Sequence, residues 1–276
     1  MSAVAERPAV LPIGPGGPSS TLAGVTRSEF TKLRSVRSTK WTIFVLVAAT
    51  IGFGVLFCFL TNHYWPKASA SDKADFDATS TSFGGLMFGQ LAIAVLGVLV
   101  ISSEYSTGGI RTSLTAVPNR MRFLAAKVIS FSGVAGVAGL IIAFAAFFAG
   151  QPFFAKRGIG ASLSDDGVLR AVFGAALYVV VSGLFGLAVG LLLRHSAGAI
   201  TVVVAFMFVL PLVVNAFPGD WGKAVIRYFT SNAGQQVTFV HQSGNHLGPW
   251  LGFGVYCIWA AVPLVIGALL LHRRDA

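Results

Sequence analysis

Residues 104–127 read EYSTGGIRTSLTAVPNRMRFLAAK, and they follow twenty residues, Phe83 to Ser102, with no charged side chain. A chain that leaves one apolar run through a basic, glycine-broken segment and enters another at Val128 has set that segment outside a hydrophobic phase. Glu104 and Tyr105 close the first run, and Gly108 and Gly109 supply backbone freedom for a sharp turn. Ile110, Leu114 and Val117 then fall at i, i+4 and i+7, the spacing of one helical face, until Pro118 stops the helix after about two turns. Arg111, Arg120, Arg122 and Lys127 surround that apolar stripe. The reading is a short amphipathic helix at a membrane surface, because a segment needed only to join two spans is satisfied by a few residues.

Composition agrees: 55% of the residues are hydrophobic and 11% charged, where soluble domains carry about 25% charged. A hydrocarbon core of about 30 Å takes about 20 helical residues to cross. Six stretches are long enough: Trp41 to Thr61, Phe83 to Ser102, Val128 to Gly150, Ala171 to Leu193, Ala197 to Phe217 and Trp250 to Leu271. None holds Asp, Glu, Lys, Arg or His, and each such charge at a helix centre disfavours insertion by about 3 kcal/mol. Backbone amides in lipid must be satisfied within the segment, so the expected fold is an all-α integral membrane protein with six transmembrane helices.

With both termini on one side, that side holds thirteen of the 20 Lys and Arg. The positive-inside rule then puts the termini, and residues 104–127, in the cytoplasm of a multi-pass protein of the cell membrane. The net charge of +10 meets anionic headgroups there, which argues against nucleic acid as a partner.

Residues 1–25 are rich in Pro, Gly, Ala and Ser without an apolar pattern, so a disordered tail is expected, without the early apolar core of a signal peptide. Thr26 and Glu29 have the spacing of a capping box, and Val25 and Phe30 that of a hydrophobic staple. An amphipathic interfacial helix is therefore expected over residues 26–40, with Phe30, Leu33 and Val36 along one side and Arg27, Lys32 and Arg34 elsewhere. The same residues also fit an ordinary basic flank.

Cys58 and Cys257 lie inside spans and read as packing residues. His241 and His246 are a close pair without further ligands nearby, and no zinc pattern, phosphate loop, nucleophile elbow or HExxH helix occurs. No cofactor is expected on this chain, and no catalytic role. Small residues recur as Ser182, Gly186 and Gly190, as Gly133, Gly136 and Gly139, and as Gly85 and Gly89, the spacing that lets helix backbones approach closely.

SEFTKLRSVRSTKW followed by EYSTGGIRTSLTAVPNRMRFLAAK resembles the permease subunits of ATP-binding-cassette (ABC) exporters of the second type. That family carries approximately E-[YF]-x-x-G-[TS]-[IL]-R-x-x-L, then a proline and a basic cluster. Glu104, Tyr105, Gly108, Ile110, Arg111, Leu114, Pro118, Arg120 and Lys127 match it, whereas Gly109 replaces Thr or Ser, a departure that loosens the helix start. The resemblance implies that residues 104–120 form a coupling helix docking on a separate ATPase subunit, present in two copies and holding ATP and Mg. It also implies a second permease chain, as a homodimer, and an outer excursion before the last span.

Such an excursion runs from Pro218 to Gly248. Asp220 stands where it would cap a helix with Trp221, Val225, Ile226 and Phe229 on one face and Lys223 and Arg227 on another. Two readings fit: a re-entrant hairpin lining the outer mouth, as the resemblance implies, or a surface helix without a gating role. Pro211 and Asn215 interrupt the fifth span nearby, so its freed backbone groups need partners; with Trp221 and Phe229 they are the outer-gate candidates. No carboxylate or histidine lies in the spans to relay protons or bind a coupling ion. Energy is therefore expected from the cytoplasmic face, for export of a hydrophobic or amphipathic cargo. The alternative is a membrane scaffold whose loop recruits a soluble partner without transport.

Overall fold

Apolar runs with no way to exchange amide hydrogen bonds with solvent close those bonds along the helix axis, and among the described residues helix fills most of each of the six runs. The computed structural model describes residues 21–216, 220–241 and 247–273, except for the side chains of Ser38, Asp220, Trp221 and Lys223. In chain order the α-helices are α1 (Leu22–Ser35), α2 (Arg37–Tyr64), α3 (Ala70–Ala74), α4 (Ala78–Ser82), α5 (Leu86–Ser106), α6 (Gly109–Ala116), α7 (Arg120–Ala155), α8 (Val168–Leu193), α9 (Ser196–Val204), α10 (Leu210–Ala216), α11 (Asp220–Arg227), α12 (Thr230–Gln235) and α13 (Pro249–Arg273). A π-helical stretch, Ala205–Val209, joins α9 to α10 into one span. Six helices are thus long and apolar enough to cross a membrane, as in a multi-pass membrane protein, and no strand occurs among the described residues.

Helix α8 is the axis of the bundle: 72% of its most apolar window is buried, against 22% for α2 and for the Ser196–Ala216 span. Helices α5, α7, α9 and α13 pack around it. Its contact with α5 is made by absent side chains. A Cβ on Gly186 would overlap the Ala94 carbonyl oxygen, and one on Gly97 would overlap that of Gly183. Backbones at this separation gain dispersion contacts along both helices, which lipid cannot supply more cheaply. Gly190 continues the same seam against Val98. Gly133 faces open space, so only Gly139 of the three-residue series is a close-packing position, against Ala176.

Several boundaries differ from the sequence expectation. Helix α1 begins at Leu22, inside the stretch read as a disordered tail, because Thr21 accepts the Gly24 N–H and caps it. Residues 1–20 lie outside the described residues. The helix ends at Ser35, with Val36 extended before α2 starts, so residues 26–40 are not one interfacial helix. Helix α5 starts at Leu86 because Phe83 closes α4, and α7 reaches back to Arg120, where Asn119 accepts the Arg122 N–H as its cap.

Gly186→Ala is expected to cost about 1–3 kcal/mol by overpacking, read as a lowered thermal midpoint in detergent. Gly133→Ala should be neutral or stabilising by up to about 1 kcal/mol. Equal midpoints for the two variants would remove the α5–α8 seam from the account of stability.

Candidate functional site

Lys127 sits seven residues into α7 and is only 2% exposed. A buried ammonium is tolerated when carboxylates surround it. Its Nζ donates to Glu29 Oε2 at 2.7 Å and to Glu104 Oε1 at 2.8 Å. Lys32 lies on the outside of the same pair, with Nζ 2.6 Å from Glu29 Oε1, 3.5 Å from Glu104 Oε1 and 3.2 Å from Ser113 Oγ. Two positive and two negative charges thus alternate, joining α1, the end of α5, α7 and, through Ser113, α6. Burial pushes the Glu29 carboxyl upward, but Lys127 and then Lys32 outweigh it and hold its pKa below the ordinary value. Burial likewise pushes Lys32 down, and its hydrogen bond to Glu29 and the Glu104 charge raise it above the ordinary lysine value.

Other contacts gather the remaining spans at this end. Arg120 Nη1 donates to the Leu271 carbonyl in the last turn of α13 at 2.8 Å, where the helix dipole favours a cation. Ser102 and Ser196 hydroxyls lie 2.8 Å apart, linking α5 to α9. The Arg194 guanidinium stands 5.0 Å from the Tyr105 ring centroid. Arg194 closes α8 in the left-handed conformation, φ 57°, which a side chain adopts at some cost.

Helix α6 forms over Gly109–Ala116, entered through Gly108 at φ 70°, and ends one residue short of the expected Val117, which caps it outside the helical region at φ −129°. Ile110 is 4% exposed and turns inward, so it offers no surface to a partner. An amphipathic helix packed on its own chain buries its most apolar position first. Leu114 is half-buried, and Arg111, Thr112, Thr115 and Pro118 are exposed. Arg120 and Lys127 are engaged with this chain's own groups and do not belong to a free basic rim.

Thr26 and Glu29 do not form a capping box: Thr26 lies inside α1, with its hydroxyl on the Leu22 carbonyl, and Glu29 is buried against Lys127. The inner face of α1 is accordingly Val25 and Glu29, with Leu33 half-buried and Phe30 45% exposed. Ser130 Oγ donates to the Thr26 carbonyl and pins α1 to α7. The quartet carried one local signal, a glutamate four residues after Val25 on a helix face; its pairing with residue 127 needs the tertiary structure.

The opposite end holds the segment between the fifth and sixth spans. Pro211 is buried and Asn215 exposed on α10, so the two do not line a common surface. Pro211 has no N–H to return to the Met207 carbonyl, and the π-helical stretch overlaps this turn. Ser231 Oγ donates to Met207 O and Thr230 Oγ1 to Phe206 O, both at 3.2 Å, so α12 satisfies the released carbonyls. The Phe229 ring stacks at 6.2 Å on Phe206 and meets Trp259 at 5.4 Å. The side chains of Asp220 and Trp221 lie outside the described residues, as does His246.

Helix α12 leads into a polar string that the sequence did not single out. Tyr178, wholly buried in α8, hydrogen-bonds Gln90 of α5, and Gln235 of α12 donates to its hydroxyl at 3.4 Å. Tyr256 of α13 donates to Ser182 Oγ at 2.8 Å, and Ser182 in turn to the Tyr178 carbonyl. Tyr178 lies ten residues along α8, about 15 Å from its start. On the same end, Asp77 caps α4 with one oxygen and accepts the Val240 N–H with the other at 2.8 Å.

Lys127→Met leaves two carboxylates facing each other beneath α1 and is expected to cost about 3–5 kcal/mol, read as a lowered thermal midpoint. Because the folded pKa of Glu29 is lowered, its contribution is complete above the ordinary carboxylate value of 4.5 and is lost as pH falls through the lowered value. Hydrogen-exchange protection factors on α1, which correct for the intrinsic pH dependence of amide exchange, should therefore fall on acidification below pH 4.5, and Glu29→Gln should abolish that step. Protection factors that are independent of pH in the wild-type chain would remove Glu29 from the docking of α1.

No protein-family model matches the chain, and comparison with curated proteins gives no match.

Proposed function

We propose that this chain is the membrane-spanning permease subunit of an ABC exporter of the second type, driven by ATP hydrolysis on a separate subunit. The observation that carries the reading is α6, a short helix between the second and third spans whose inner side is bonded through Ser113 into the charge quartet. A load applied to its exposed side, Arg111, Thr112 and Thr115 with the edge of Leu114, reaches Lys32 through Ser113, and α1, α5 and α7 through the carboxylates that Lys32 shares with Lys127. The motif resemblance and the distribution of Lys and Arg put this end in the cytoplasm. ATP and Mg belong to the partner ATPase, present in two copies.

At the other end, α11 and α12 act as the re-entrant hairpin of the outer mouth. Gln235 bonds a tyrosine about 15 Å along α8, and α12 holds the two carbonyls freed at the π-helical stretch. Exposed apolar side chains on α2, α10 and α13, such as Phe44, Leu212 and Ile258, fit lipid and a second permease chain in a homodimer. The cargo class is a hydrophobic or amphipathic molecule crossing the cell membrane.

Leu114→Asp and Arg111→Glu are expected to reduce copurification of the ATPase subunit at least tenfold and to abolish export, with membrane insertion unchanged. Both residues lie outside the spans. If the two variants retain full copurification and full export, α6 is not the coupling element. Recruitment that persists without any nucleotide-dependent movement of α11 and α12 would assign the chain to a non-transporting scaffold.

A further inference from the structure

The quartet borders a cavity of about 330 Å³ in the elbow between α1 and α2, closed at its back by α5 and α7. Its polar end is formed by Glu29, Lys32, Glu104 and Lys127, and its apolar wall by Leu33, Val36, Leu96, Leu99 and Val100. The two ends differ in what they still require. Three carboxylate oxygens of the quartet accept or share a proton donor: both of Glu29 and Oε1 of Glu104. The fourth, Glu104 Oε2, is buried without a hydrogen-bond partner, a costly condition for a charged acceptor. Lys32 beside it is 46% exposed, so its charge faces an anion at the surface. Val36 and Leu99 are 46% and 37% exposed, so the apolar wall opens away from the protein.

We propose that this cavity binds a membrane phospholipid carrying a primary ammonium headgroup, of the phosphatidylethanolamine class. A rotation of the Glu104 carboxylate turns the enclosed Oε2 toward the cavity, where the ammonium donates a hydrogen bond to it; the phosphate rests on Lys32, and the start of one acyl chain follows Leu33, Val36, Leu99 and Val100. The volume lies at the small end of ligand sites, enough for a headgroup and the first part of a chain. Charge complementarity selects the class. The quartet is neutral by itself, so a zwitterion adds no net charge to the site, whereas an anionic glycerol lipid adds a negative charge beside Glu104 and offers Oε2 only a neutral hydroxyl. A trimethylated choline head has no N–H to give it. The site lies on the chain's own surface and does not depend on the transport reading.

The test uses the full chain in nanodiscs of mixed ethanolamine, choline and glycerol phospholipids, with retained lipid counted by native mass spectrometry. Ethanolamine lipid is expected to be retained at least tenfold over either other class. Leu99→Trp, which fills the partly exposed apolar wall, should abolish that preference while leaving the thermal midpoint as in wild type. Glu104→Gln should reduce the preference at least fivefold. Equal retention of the three classes, or a preference unaffected by Leu99→Trp, overturns the proposal.

Discussion

A single buried ammonium organises one end of this protein. Lys127 stands in the third span helix, where the surrounding side chains are apolar, and such a charge is stable there only with carboxylates brought to it. Glu29 and Glu104 come from elements 98 and 23 residues away. Meeting that demand fixes α1 across α7 and fixes the end of α5 beside both. Lys32, drawn to the same carboxylates, then reaches Ser113 and orients α6. The amphipathic character of α1 follows from this arrangement, because the helix turns a glutamate inward and leaves Phe30 outside.

The middle of the bundle obeys a different rule. Lipid gives helices no hydrophobic reason to associate, so close approach and internal hydrogen bonds must do it. Gly97 and Gly186 bring α5 and α8 into backbone contact, while Tyr178, Gln90, Ser182 and Tyr256 tie α8 to α5 and α13. The Ser196–Ala216 span shares little of this. Its π-helical stretch and Pro211 leave carbonyls that are satisfied by hydroxyls of α12, so the fifth span is held at that point by side-chain-to-backbone bonds instead of by a continuous ladder.

The spans were legible in the sequence because each is a long uncharged run, and α6 because Ile110, Leu114 and Val117 repeat at helical spacing between glycines and a proline. The start of α1 was not, since Thr21 and Thr26 are equally good caps by type and only packing decides between them. Glu29 illustrates the general limit. Its spacing to Thr26 satisfies a local rule, yet a buried lysine nearly a hundred residues away offers a carboxylate more than a helix N–H does. The π-helical stretch has no marker but Pro211, and the tyrosine string consists of residues that are individually ordinary in apolar helices. Pairings of this kind are set by tertiary structure, which periodicity does not encode.

The quartet is also unequal in a way that bears on how motion would pass through it. Lys127 is enclosed, with both carboxylates within 2.8 Å, and parting it from them would leave charge unpaired in a poor solvent. Lys32 is half in water and has three acceptors within 3.5 Å, Glu29, Glu104 and Ser113. Exchange among those acceptors exposes no buried charge, so it costs far less than breaking the Lys127 contacts. Under the transport reading, a small displacement of α6 would therefore change the partners of Lys32 first, while Lys127 keeps α1, α5 and α7 moving as one body. A hinge at Val36, the extended residue between α1 and α2, is where that body would turn against the first span.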